Sequence, residues 1–184
     1  EWKVYFDGNF WEPSGKGHAG TELRLNKQFE WAGHHWIIPA VYSCNKGLVL
    51  DFCMCTPAED IREFMKKWDL SPENDSCLNF TQEQQLQIDL DNPLCLDIIP
   101  CLKLNGTTMQ ASHSCSAVFN PCLSDETNNE LEAKWAVKHY ELDISYGWMI
   151  FRAAFLWPDK RRPAIKSLSL WSNNHSVYLG RILR

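Results

Sequence analysis

Between Trp31 and Trp68 the spacing of apolar side chains changes from a period of two to a period near 3.6. From His35 to Cys44, alternation puts Trp36, Ile38, Ala40, Tyr42 and Cys44 on one face and Ile37, Val41 and Ser43 on the other. Asn45-Lys46-Gly47 predicts a short loop, and Leu48 to Cys55 a return strand. Both faces of that return strand are largely apolar, the pattern of a strand covered on both sides. Pro39 cannot donate a ladder hydrogen bond, so a bulge or an edge position is expected there. Beyond Thr56 the apolar residues Ile61, Phe64, Met65 and Trp68 recur at helical spacing. Thr56, Pro57 and Glu59 read as a capping box, with Lys66 and Lys67 in the last turn, where the helix dipole favours cations.

A second stretch has the same plan. Ile98-Ile99-Pro100 echoes Ile37-Ile38-Pro39, and Asn105-Gly106 is a hairpin turn signal. A return strand runs from Met109 to Phe119. A helix opened by Thr127 and Glu130 then carries Leu131, Trp135 and His139 on one side. The two stretches, 34–68 and 96–140, predict an internal strand–strand–helix repeat within a single domain spanning 1–184. If each helix packs on its own hairpin, Phe64 and Trp135 both face a helix–sheet interface.

Elsewhere, Trp2 to Phe6 reads as a short strand closed by Asp7-Gly8, and residues 12–20 as loop. Leu23, Leu25 and Phe29 alternate with charges, as half-buried strands do. Thr81 and Gln84 form a further capping box for a short helix from Gln82 to about Leu90, ended by Asn92-Pro93. Trp148 to Trp157 is a long apolar strand interrupted by Arg152. A polar loop bounded by Pro158 and Pro163 follows. Two more strands lie around Ile165–Leu170 and Val177–Leu183, with a turn at Asn173-Asn174. The expected fold is mainly β, with α+β as the alternative: an antiparallel sandwich or jelly-roll-like layout of about ten strands and two or three short helices.

Composition narrows the function classes. At 184 residues the chain can bury a sizeable core, and no apolar run approaches a membrane span, so no membrane partner is expected. Net charge is −5, unevenly spread: Phe151 to Arg184 holds seven basic residues and one acidic, the remainder eleven basic and twenty-two acidic. So acidic a body would repel nucleic acid. The eight cysteines and the sequons at Asn79, Asn105 and Asn174 superficially fit a secreted chain. Several cysteines nevertheless alternate within apolar strands, as small buried hydrophobes do, which favours a reduced, cytoplasmic protein over the secreted alternative. The chain opens on Glu1 rather than Met, as a processed or excised chain would, so a missing signal peptide is uninformative.

Candidate chemistry is sparse. Cys53 and Cys55, with His113 and Cys115, are two X-any-X pairs on return strands; if those strands were neighbours, the four could hold zinc. The usual knuckle spacing is missing, so no cofactor is expected and zinc is the alternative. No nucleophile elbow or nucleotide loop is present. Asp51, in an apolar strand, reads as the ion-pair partner of a basic residue such as Arg152. Trp11 on a polar loop, and Trp157 beside Lys160, Arg161 and Arg162, are candidate anchors for a ligand or protein of unidentified nature. The leading expectation is a soluble β-rich ligand- or protein-binding domain. Its rival is a metal-dependent or hydrolase-like enzyme with a site on the open face of the sheet.

Overall fold

Alternating apolar residues over Gly47–Thr56 bury both faces of one strand, and the main sheet extends to either side of it. The computed structural model describes residues 2–10, 17–70, 80–123, 129–159, 161–172 and 175–180, with side chains as far as Leu170. In order these form β1 (Thr21–Trp31), β2 (His34–Ser43), β3 (Gly47–Thr56), α1 (Ala58–Lys67), α2 (Gln82–Asp91), β4 (Cys101–Leu104), β5 (Thr107–Thr108), β6 (Gln110–Phe119), α3 (Leu131–Tyr140), β7 (Gly147–Leu156), β8 (Leu168–Ser172) and β9 (His175–Gly180). Two antiparallel sheets result, ordered β1-β2-β3-β7-β6 and β5-β4-β8-β9, so the fold is mainly β. Among the described residues there are eight strands of four residues or more and one of two residues, against the ten or so expected. Part of the difference is Trp2–Phe6, which joins neither sheet. Its alternation reflects a chain segment laid on the core, with Val4, Phe6 and Phe10 buried. No helix among the described residues is long and apolar enough to cross a membrane.

Turn chemistry fixes register where the sequence marks it. Asn105 and Gly106 both take positive φ, 51° and 85°, and connect Leu104 to its partner Thr107. Ala32 and Gly33 do the same between Trp31 and His34, at 52° and 77°. The bulge expected at Pro39 lies on the partner strand. The β1–β2 register shifts between Arg24 and Lys27, opposite Ala40 and Ile38, so the extra residue falls where Pro39 has no N–H to offer.

The chain condenses into two compact units. The first comprises residues 1–53, 98–116 and 151–184. Its core is built on Trp36, Ile38, Tyr42, Leu50, Phe52 and Phe155. Gly47 is required there by close approach: a Cβ would lie 1.9 Å from the carbonyl oxygen of Phe155 and 2.6 Å from the ring of Phe6. The second unit comprises residues 54–97 and 117–150. Here Gly147 lets α1 settle, because a Cβ would meet Ile61 Cδ1 at 2.4 Å.

The helix caps divide. Thr81 and Gln84 make the reciprocal box, at 3.2 and 2.9 Å. Thr56 does not cap α1. Its hydroxyl donates to the Pro93 carbonyl at 3.0 Å, and Glu59 pairs with Arg62 instead. α3 begins after Glu130 with no side-chain cap, and Thr127 lies outside the described residues. Its buried face is Ala133, Ala136, Val137 and Tyr140, leaving Trp135 46% exposed and Leu131 53% exposed. The expectation that Trp135 faces a sheet is therefore corrected. Small residues at 133 and 136 carry the packing, and an aromatic outweighed them in the reading of the stripe. The two strand–strand–helix stretches also differ in connection: β2 and β3 are neighbours in one sheet, whereas β4 and β6 belong to different sheets.

Candidate functional site

Within the first unit the most unusual chemistry is a buried ion pair. Asp51 on β3 and Arg152 on the neighbouring β7 are 0% and 4% exposed. Arg152 donates from Nε to Oδ1 and from a terminal nitrogen to Oδ2, both at 2.7 Å, in a bidentate fork. Two rings roof the guanidinium: Phe10 with its centroid at 4.3 Å and Trp2 at 5.3 Å. The Trp2 indole N–H in turn donates to the Tyr42 hydroxyl at 2.9 Å. The N-terminal segment is thus held on the sheet by the cation it covers. The chemistry is structural, because charge and partner are both enclosed.

The cationic loop after β7 is the other arrangement. Trp157, proposed from sequence as an anchor, is only 7% exposed. Its indole N–H is shared between the carbonyls of Cys44 and Asn45, each at 3.1 Å, and its backbone N–H donates to Lys46 O at 3.0 Å. It therefore fastens the start of the loop from beneath. The far end is fastened by Asn105, whose amide donates to Ala164 O at 2.9 Å and accepts from the N–H groups of Lys166 and Ser167 at 2.9 and 3.0 Å. Ile165 is buried between these bonds. Arg161 and Arg162 are exposed on the span so defined. Trp11 and Lys160 lie outside the described residues. Sequence reasoning marked Asn105 as a turn residue and as a sequon. Nothing in its local pattern signals bonds to a segment some sixty positions away.

The zinc arrangement rested on β3 and β6 being neighbours, and β7 lies between them. Cys53 is wholly buried, Cys55 and Cys115 are half-buried, and His113 is exposed, edge-on to Phe6 with ring centroids 5.8 Å apart. Among the described residues no three His, Cys, Asp or Glu side chains form a group suited to a metal ion. His18 and His113 are exposed, and His34, His35 and His139 are half-buried. Cys44, Cys53 and Cys115 are poor nucleophiles as they stand. Burial pushes Cys44 up to about 11, against the cations of Arg162 and Arg152, which pull the other way. Burial also raises Cys53 and Cys115, with Asp51 adding to the rise in both. A thiol held protonated at neutral pH neither attacks a carbonyl nor binds a metal readily.

The enclosed pair predicts an asymmetric mutational result. Asp51→Asn leaves a buried guanidinium without its counter-ion and costs about 3–5 kcal/mol in urea melts, whereas the double change Asp51→Leu with Arg152→Met comes within about 1 kcal/mol of wild type. A double variant as destabilised as Asp51→Asn would overturn this by showing that the pair stabilises the fold well beyond an apolar pair of similar volume. For Cys44 the sign follows from linkage. The folded thiol titrates near 11 and the unfolded one near 9, so its contribution is intact below pH 9 and is lost as pH rises toward 11. Replacing Cys44 by Ala flattens the decline of stability with pH across that window, and an unchanged slope would refute the assignment. No protein-family model, no curated protein and no solved structure matches this chain.

Proposed function

We propose that the chain is a β-rich binding domain that engages an acidic protein segment through the loop from Trp157 to Ser167. The observation that carries this reading is the two-ended fastening of that loop, by Trp157 below and Asn105 at the far end, with Arg161 and Arg162 exposed between. A loop already fixed in the free protein loses little conformational entropy on binding, so its cations contribute more of their interaction energy to affinity. Guanidinium groups suit carboxylates because they bond them in pairs. The acidic remainder of the chain opposes nucleic acid as the partner. The buried thiols of Cys44 and Cys53, raised by burial, weigh for binding over catalysis. Charge reversal at both Arg161 and Arg162 should weaken binding of a fluorescent Glu-rich peptide at least tenfold, about 1.4 kcal/mol, with no change in melting. Raising the salt should erase most of the difference. A peptide that binds both proteins equally, or neither at low salt, would overturn the assignment.

The same reading places the domain in a reducing, cytoplasmic setting. Its support is that Cys44, Cys53, Cys95, Cys101, Cys115 and Cys122 are free thiols. Titration of the protein unfolded without reductant should find most of the eight cysteines reactive. Two or fewer would place it in an oxidising compartment.

A further inference from the structure

The two sheets have four outer strands, and three of them are guarded. β5 is two residues long. β1 is bulged, carries charges along its length and touches β9, so those two edges meet. β6 is different. It closes the five-stranded sheet over ten residues, Gln110–Phe119, with no Asp, Glu, Lys, Arg or Pro among them. Natural edges of that length are ordinarily blunted by such residues, because an open row of N–H and C=O groups is a template for another strand.

The direction of those groups can be read from two contacts. The N–H of Asn120, just past the strand, donates to the Asn129 side chain at 2.7 Å rather than to a neighbouring strand, and the backbone of Val118, two residues earlier, faces the Glu130 carboxylate. In an antiparallel strand a residue's N–H and C=O point to the same side, and the side alternates. The outward groups of the preceding stretch therefore belong to Gln110, Ser112, Ser114 and Ser116. Glu130 covers the end at Val118. Among the described residues no strand pairs with the outer side of 110–116. The side chains of these even-numbered residues are also exposed, so a strand arriving here meets small hydroxyls.

We propose that residues 110–116 form a strand-addition surface and that its occupant is a second copy of β6, antiparallel about a two-fold axis. The pairing that sets Ser114 opposite Ser114 of the partner subunit also sets Ser112 opposite Ser116 of the partner subunit. One face of the junction is then a serine row, able to hydrogen-bond across the strands. An edge without charge pays no like-charge repulsion against its own copy, and it offers a charged partner nothing to select. Such an interface is isologous and closes at two subunits. Its small area makes the dimer weak, so it dissociates on dilution.

The experiment is sedimentation of the full chain across a wide concentration range. The expected result is a monomer–dimer equilibrium. Ser114→Pro removes an outward N–H that no ladder bond among the described residues uses. It should abolish the dimer and leave the denaturation midpoint unchanged. If that variant fails to fold, Ser112→Lys with Ser116→Lys decides, because it sets ammonium groups opposite one another across the two-fold axis while keeping every backbone donor. A wild-type chain that stays monomeric at the highest concentration overturns the proposal. So does a dimer that survives the lysine variant, which would assign the contact to another surface.

Discussion

The bidentate pair between Asp51 and Arg152 is the interaction on which the first unit is arranged. Two charges can leave water only when each satisfies the other and the remaining polar groups are also met. That condition constrains the strands on either side, because β3 and β7 must lie in the one register that makes the fork planar. It constrains the start of the chain as well. Trp2 and Phe10 give the guanidinium two aromatic faces, and the Trp2 indole finds the Tyr42 hydroxyl. Residues with no place in either sheet are in this way drawn into the core by electrostatics as much as by apolar burial.

The cationic loop follows a different rule. Its own residues are exposed, yet the bonds that shape it are made by distant ones, an indole turned inward and an asparagine from the β4–β5 turn. Asn105 serves two ends at once. Its positive φ allows the tight hairpin, and the same geometry aims its amide at the backbone of 164–167. A turn residue that is also a brace is harder to replace than either role implies alone, since Gly would keep the turn and lose the brace.

How much of this was legible in the sequence depends on the range of the interaction. Period-two alternation located β2 and β3 closely, the echo of their plan located β6, and a long apolar run located β7, because each signal is local to the strand it marks. The Asn-Gly turn and the Thr81–Gln84 box were legible because each is complete within four residues. The pairing of Asp51 with Arg152 was readable from the cost of a lone charge in an apolar strand. Thr56 was misread because a partner far along the chain, the Pro93 carbonyl, competed for its hydroxyl. Trp135 was misread because a large side chain dominates a periodic pattern, whereas the close approach of α3 to its neighbours needs Ala133 and Ala136. Trp157 had the right neighbourhood and the wrong direction. Alternation at the end of a strand cannot say whether the last ring turns outward or beneath the loop it begins.

Asp51 and Arg152 stand 101 positions apart in the chain. A nascent chain that has emerged through β3 holds a carboxylate among apolar neighbours and has nothing to neutralise it. That strand must stay hydrated until β7 arrives. Trp2 and Phe10, made before either charge, have no cation to cover until the same moment, so residues synthesised ahead of the sheet are among the last to settle. Pairings across so long a loop bear their closure entropy before any contact repays it, which makes for slow folding with a late, cooperative step.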